Sequence, residues 1–203
     1  MRINDKTEIP EQYYTLWTNL GYALDLQPEK KVVMFGTSEN SDITTALIVK
    51  LALLNAKKGT RTLIIDSNFD DSDLQNTFGI KPKQGWTDLL KNNLKPGSVI
   101  TETIIPNLSV LSVGSEIQKP MALISQSNVL NVIKELKLQY DIIFLNVSSF
   151  FTTTVPQLLL QVVDAMAIIV VSGETQQHNL LRMINTVRMS KTNILGLIEW
   201  QKG

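Results

Sequence analysis

"KVVMFGTSENSDITTALIVKLALLNAKKGTRTLIID", Lys31 to Asp66, is the stretch on which the fold turns. It opens on an apolar run, "KVVMF" (31–35), and crosses a short polar loop, "TSENSDITT" (37–45). A helical pattern then fills 43–58, Gly59 ends it, and a second apolar run, "TLIID" (62–66), follows. Both runs are continuous rather than alternating, which is how strands read when both faces of a sheet are buried. Two such strands joined by a helix pair in parallel through a right-handed crossover. The turn from strand to helix is where many proteins hold phosphate, because the first helical N–H groups are free there. This loop, however, contains neither glycine nor lysine.

Outward from that unit the same alternation continues. Apolar runs recur as "LSVLSV" (108–113), "DIIFLN" (141–146), "AIIVVS" (167–172) and "ILGLI" (194–198). Helical patterns occupy 124–138, 155–164 and 175–190. A further helix, over about 9–25, precedes the first strand, with Pro10 suited to its first turn. "KPKQG" (81–85) and "NNLKPGS" (92–98) read as turns. The expectation is a single α/β domain over 1–203, built as a three-layer, mostly parallel sheet flanked by helices. Ligands in such sheets sit beyond the carboxyl ends of the strands. The loops to search are therefore 36–45, 66–73, 114–120, 146–153 and 172–176.

Composition removes several function classes. Lys+Arg and Asp+Glu are both 19, and a formally neutral chain lacks the basic surface that nucleic-acid binding uses. No nucleic-acid partner is expected. With no cysteine there is no disulfide frame or thiolate chemistry, and a lone histidine, His178, makes no metal site. The first residues, "MRINDKTEIPEQ", are polar and unlike a signal peptide. No apolar stretch reaches the roughly 18 residues of a membrane span. The expected place is the cytoplasm, at the inner face of the membrane through a partner.

The loops read in order resemble the deviant P-loop ATPase superfamily, which includes the MinD/ParA-like proteins. More closely they resemble the cytoplasmic tyrosine-kinase domains of bacterial capsule and exopolysaccharide systems. "FGIKPKQGWTDLL" (78–90), "PNLSVLSVG" (106–114), "KPMALI" (119–124), "YDIIFLNVSS" (140–149) and "EQYYTLWTNL" (11–20) carry the likeness. Gly59 and Asp66 fix its register. The resemblance implies a P-loop NTPase-like fold over nearly the whole chain.

At the chemical positions the chain departs from that pattern. In the family loop, glycines let backbone N–H groups curl around phosphates and a lysine neutralises their charge. Ser38 aligns with the start of that loop, Ser41 and Ile43 stand at glycine positions, and Thr44 stands at the lysine. Thr45 keeps the hydroxyl that would meet magnesium, or serves only as a first-turn helical residue. The D-x-D pair reads Asp66-Ser67-Asn68, so one acid survives, and the following basic pair is Asp70-Asp71. Asn146 replaces a carboxylate that would hold magnesium through water, and an amide binds the cation far more weakly. Ser148 and Ser149 replace two prolines, and Trp200 stands where an asparagine reads adenine. The family's tyrosine-rich tail has no counterpart up to Gly203; Tyr13, Tyr14, Tyr22 and Tyr140 are the tyrosines.

The expectation is therefore a catalytically inactive, kinase-like subunit, not an enzyme, with no metal and no cofactor. Its role would be regulatory or scaffolding in capsular or exopolysaccharide biosynthesis. The partner would be the cytoplasmic tail of a membrane co-polymerase or an active kinase paralogue. The family's ring-forming E-x-x-R-x-x-R maps to Glu11, Tyr14 and Trp17, at a spacing that shares one helix face. Tyrosine and tryptophan are enriched at interface hot spots. The helix face is either a contact in a homo-oligomer or with a partner, or packing against the domain's own sheet. Three alternatives stand beside this reading. One is an unorthodox ATP- and magnesium-binding tyrosine kinase using Asp66, Thr45 and a lysine such as Lys31 or Lys50. Another is a degenerate MinD/ParA-like positioning protein. The third is a binder of an uncharged ligand, using Thr37, Ser38, Ser41, Thr44, Ser148 and Ser149.

Overall fold

The computed structural model describes residues 3, 6–24, 31–39, 42–69, 73–81, 83–92, 94–114, 120–124 and 128–201. The apolar runs become strands β1 (Lys31–Thr37), β2 (Thr62–Ser67), β4 (Leu108–Leu111), β5 (Ile142–Val147), β6 (Ala165–Val171) and β7 (Asn193–Trp200). A two-residue strand, β3 (Thr101–Glu102), was not expected from the sequence. The order across the sheet is β3-β4-β2-β5-β1-β6-β7. Among the described residues only the β3–β4 pair is antiparallel; the other ladders are parallel, as continuous apolar runs suggest. The register slips where β7 passes Met166 and Ala167 of β6.

Alternate residues of each strand feed opposite cores. Met34, Ile65 and Leu145 enter one, together with helices α4 (Trp86–Asn92), α6 (Asn128–Gln139), α7 (Val155–Leu159) and α8 (Gln177–Met189). Phe35, Ile64 and Phe144 enter the other, with α1 (Glu11–Ala23), α2 (Asp42–Lys57) and α3 (Asp73–Phe78). The three-layer, mostly parallel α/β architecture read from the sequence is the one observed. The pattern at 124–138 resolves into a short α5 (Pro120–Ile124) and α6.

The helix after the first loop, α2, is buried on nearly every side, from Leu47 to Ala56. Its inner face lies on the sheet. Its outer side is covered by α1 and by the segment ahead of it. Lys50 Nζ donates to the Glu8 carbonyl at 3.3 Å, and Lys57 Nζ to that of Thr7 at 2.9 Å. Gly59, at φ 86°, ends α2 in the left-handed conformation that glycine adopts without steric cost. Among the described residues no helix is long and apolar enough to cross a membrane.

Candidate functional site

The carboxyl ends of β1, β2 and β5 meet above the first turns of α2. Parallel pairing sets Asp66 of β2 beside Asn146 of β5. The two side chains bond directly, Asn146 Nδ2 donating to Asp66 Oδ1 at 3.0 Å. Thr45 completes the chain from α2, its hydroxyl donating to Asn146 Oδ1 at 3.1 Å. The Asn68 backbone N–H reaches Asp66 Oδ1 at 3.3 Å. All four residues are buried, Asp66 completely. A buried carboxylate requires partners, and here the Asn146 amide N–H₂ group supplies one at Oδ1. The chain Thr45–Asn146–Asp66 thus runs from the first turn of α2 across β5 to Asp66 Oδ1.

The two loops above it are tied together. Phe150 N–H donates to the Thr37 carbonyl at 2.9 Å, and the Ser149 hydroxyl to the Ser38 carbonyl at 3.1 Å. Thr37 Oγ1 accepts from Glu39 N–H at 3.1 Å, and Ser38 Oγ donates to Glu39 Oε1 at 2.9 Å. Ser148 and Thr153 share a hydrogen bond of 3.1 Å. Of the hydroxyls read as an open neutral mouth, those of Thr37, Ser38, Ser148 and Ser149 are engaged within these two loops. Thr37, Ser148 and Ser149 are buried, and so is Thr44, whose hydroxyl has no partner among the described residues. Ile43 packs at the edge of the core beneath the loop. Ser41, like Asp70 and Asp71, lies outside the described residues.

Two of the positions aligned with the family's nucleotide site differ in their chemistry. The position aligned with the family lysine holds the buried Thr44, and the amide of Asn146 bonds Asp66 Oδ1. Lys50 does not offer a substitute, since its ammonium points away to the Glu8 carbonyl. Lys31 starts β1, at the amino end of the strand, whereas the site lies at its carboxyl end.

The remaining sequence candidates fall elsewhere. Trp200, half-buried at the end of β7, lines a cleft of about 410 Å³ with Tyr13 and Leu16 of α1, Leu47 of α2 and Ile198. Burial pushes the Tyr13 phenol above its ordinary pKa of 10.0. On α1 the three aligned residues diverge. Trp17 turns inward and meets the Phe144 ring edge-on, at 5.5 Å and 72°. Tyr14 is 42% exposed, with the Lys58 ammonium 5.7 Å from its ring centre, and Glu11 is exposed in the first turn. Thr153 and the Ser38–Ser149 link were not found by sequence reasoning. The serines in "NVSSF" were its only signal, and only folding shows their partners.

The fold is the P-loop NTPase-like one. No protein-family model matches the chain. Among curated proteins, the tyrosine-protein kinase CpsD of Streptococcus agalactiae is 23% identical over 199 residues, spanning 98% of this chain and 85% of the relative. Among solved structures, the chimerical protein CapA2B2 superposes with a TM-score of 0.85 at 20% identity, covering 98% of this chain and 86% of that one. The kinase domain of the Escherichia coli tyrosine kinase ETK also gives 0.85, at 17% identity, covering 93% and 74%. The chain is thus similar to the bacterial capsule and exopolysaccharide tyrosine kinases, as its motifs suggested. One expectation is corrected by these relatives. They are named tyrosine-protein kinases and kinase domains, which points to an enzyme, not to the inactive subunit expected from the emptied motif positions. That expectation treated each replaced residue as a lost function, which residue identity alone cannot establish.

Proposed function

We propose that the chain works in capsular or exopolysaccharide biosynthesis as a tyrosine-kinase-type subunit with a regulatory or scaffolding role. It docks at the inner face of the membrane on the cytoplasmic tail of a polysaccharide co-polymerase, or on a kinase paralogue. The observation that carries this reading is the Thr45–Asn146–Asp66 chain. Where magnesium and nucleotide would otherwise fasten the strand ends to α2, the chain's own side chains fasten them here. The surfaces around the crevice are then formed before any nucleotide arrives, and a partner can read them in that state. The likeness to CapA2B2, a chimera, supports looking for a protein partner.

The test is binding of the full chain to a co-polymerase's cytoplasmic tail, measured by interferometry with and without ATP and magnesium. The expected result is an affinity that nucleotide changes by less than about threefold, because a ligand that does not distinguish two states shifts nothing. Binding that requires ATP would contradict the reading. A second reading is favoured by two retained groups, Asp66 and the Thr45 hydroxyl, and by the kinase names of the relatives. In it the chain is an unorthodox tyrosine kinase. Phosphotyrosine formed by the purified protein with ATP and magnesium, and lost in Asp66→Asn, supports that reading.

A further inference from the structure

The sheet ends on β7, and its outer edge has no strand beside it among the described residues. The strand is eight residues long, "NILGLIEW", with one charge and no proline. Edge strands are ordinarily shortened, charged or broken, because their outward N–H and C=O groups invite another strand. This one has few such protections. Between it and α8 runs an open groove of about 540 Å³, with Ile184, Ile194 and Leu197 along it and Arg188 and Lys191 at one end. Leu197 is 55% exposed. Arg188, Lys191 and Glu199 are exposed and make no ion pair among the described residues. Gly196, mid-strand, has open space where a side chain would project, which allows another backbone to approach closely.

We propose that β7 pairs antiparallel with β7 of a second copy of this chain, joining the two sheets edge to edge. The strand and the groove are self-complementary, as a two-fold contact requires. With the two-fold axis at Gly196, Leu197 of each copy stands opposite Leu195 of the other, and Ile194 opposite Ile198. Glu199 of each copy then lies toward the end where Arg188 and Lys191 of the other stand. Parallel self-pairing would instead align like charges. A strand from another protein would also satisfy the edge, but the placement of the acid at one end and the two cations at the other matches this chain with itself.

Sedimentation velocity over a micromolar concentration series tests the contact. The expected result is a monomer–dimer equilibrium. Leu197→Lys and Glu199→Lys should each raise the dimer dissociation constant about tenfold or more, with thermal melting of the monomer unchanged. Glu199→Lys combined with Arg188→Glu and Lys191→Glu should return it to within about threefold of the original, since the charge pairs are exchanged and not lost. Amides of β7 should gain hydrogen-exchange protection as concentration rises. A protein that stays monomeric throughout overturns the proposal. So does an oligomer that is indifferent to Leu197→Lys, including one that responds to Tyr14→Ala instead.

Discussion

Asn146 decides how the crevice behaves, because its amide accepts from Thr45 and donates to Asp66 within one buried chain. Replacing it by aspartate would keep the size and reverse the electrostatics. Two carboxylates would then face each other out of water, each raising the other's pKa. Asn146→Asp should lose about 1–3 kcal/mol at neutral pH in urea unfolding. Millimolar magnesium should recover part of the loss, since the new pair can bind a hard cation. Equal stability of the two proteins, or no response to magnesium, would show that the amide is not standing in for a charge. Tyr13 gives a pH dependence whose sign follows from its burial. Its folded pKa lies above the unfolded 10.0, so the folded state holds the phenolic proton longer. Stability should be flat below about pH 10 and fall as pH rises through the raised value. Tyr13→Phe should remove that part of the slope in chemical unfolding measured across the alkaline range.

Among the elements, α1 separates packing from contact within one turn. Trp17 rests on Phe144, inside the domain, while Tyr14 faces solvent beside Lys58. Trp17→Ala should cost about 2–4 kcal/mol, toward the lower part of the range for buried aromatics because the ring is only half-buried. Tyr14→Ala should stay within about 1 kcal/mol, the worth of one exposed cation–π contact. Equal costs in thermal unfolding would contradict this division. The turn into α4 has less tolerance. A Cβ on Gly85 would sit 2.1 Å from the Ser112 carbonyl oxygen, a backbone atom that cannot turn aside. Gly85→Ala should therefore destabilise by about 2 kcal/mol or more, by the cost of forced overpacking. The elements legible in the sequence were those with a long period or an unbroken apolar run. α2 and the six main strands were of that kind. β3, at two residues, has no period to read, and α4, "WTDLLKN", is too short to show one. The face of α1 that turns inward was equally open, since spacing groups Glu11, Tyr14 and Trp17 but does not say what lies opposite.

At the scale of the whole molecule, the layered parallel sheet followed from alternation of apolar runs and helices, and the comparisons agree with it. The crevice was legible only as a set of replacements. That Asn146 bridges Thr45 to Asp66, and that Ser149 and Phe150 bind the loop across the way, depends on β1, β2 and β5 lying side by side. No local pattern encodes that adjacency. It also explains why emptied motif positions overstated the case against an enzyme. Asp66 and the Thr45 hydroxyl are retained and joined through Asn146, and the effect of the replacements on nucleotide is a matter of measured affinity. A lysine and a second carboxylate usually supply several kcal/mol toward the phosphates and their metal. Without them, and with the amide already seated on Asp66, calorimetric titration of the full chain with ATP and magnesium should give a dissociation constant of about 1 mM or weaker. A magnesium-dependent constant in the micromolar range would contradict the account of the crevice.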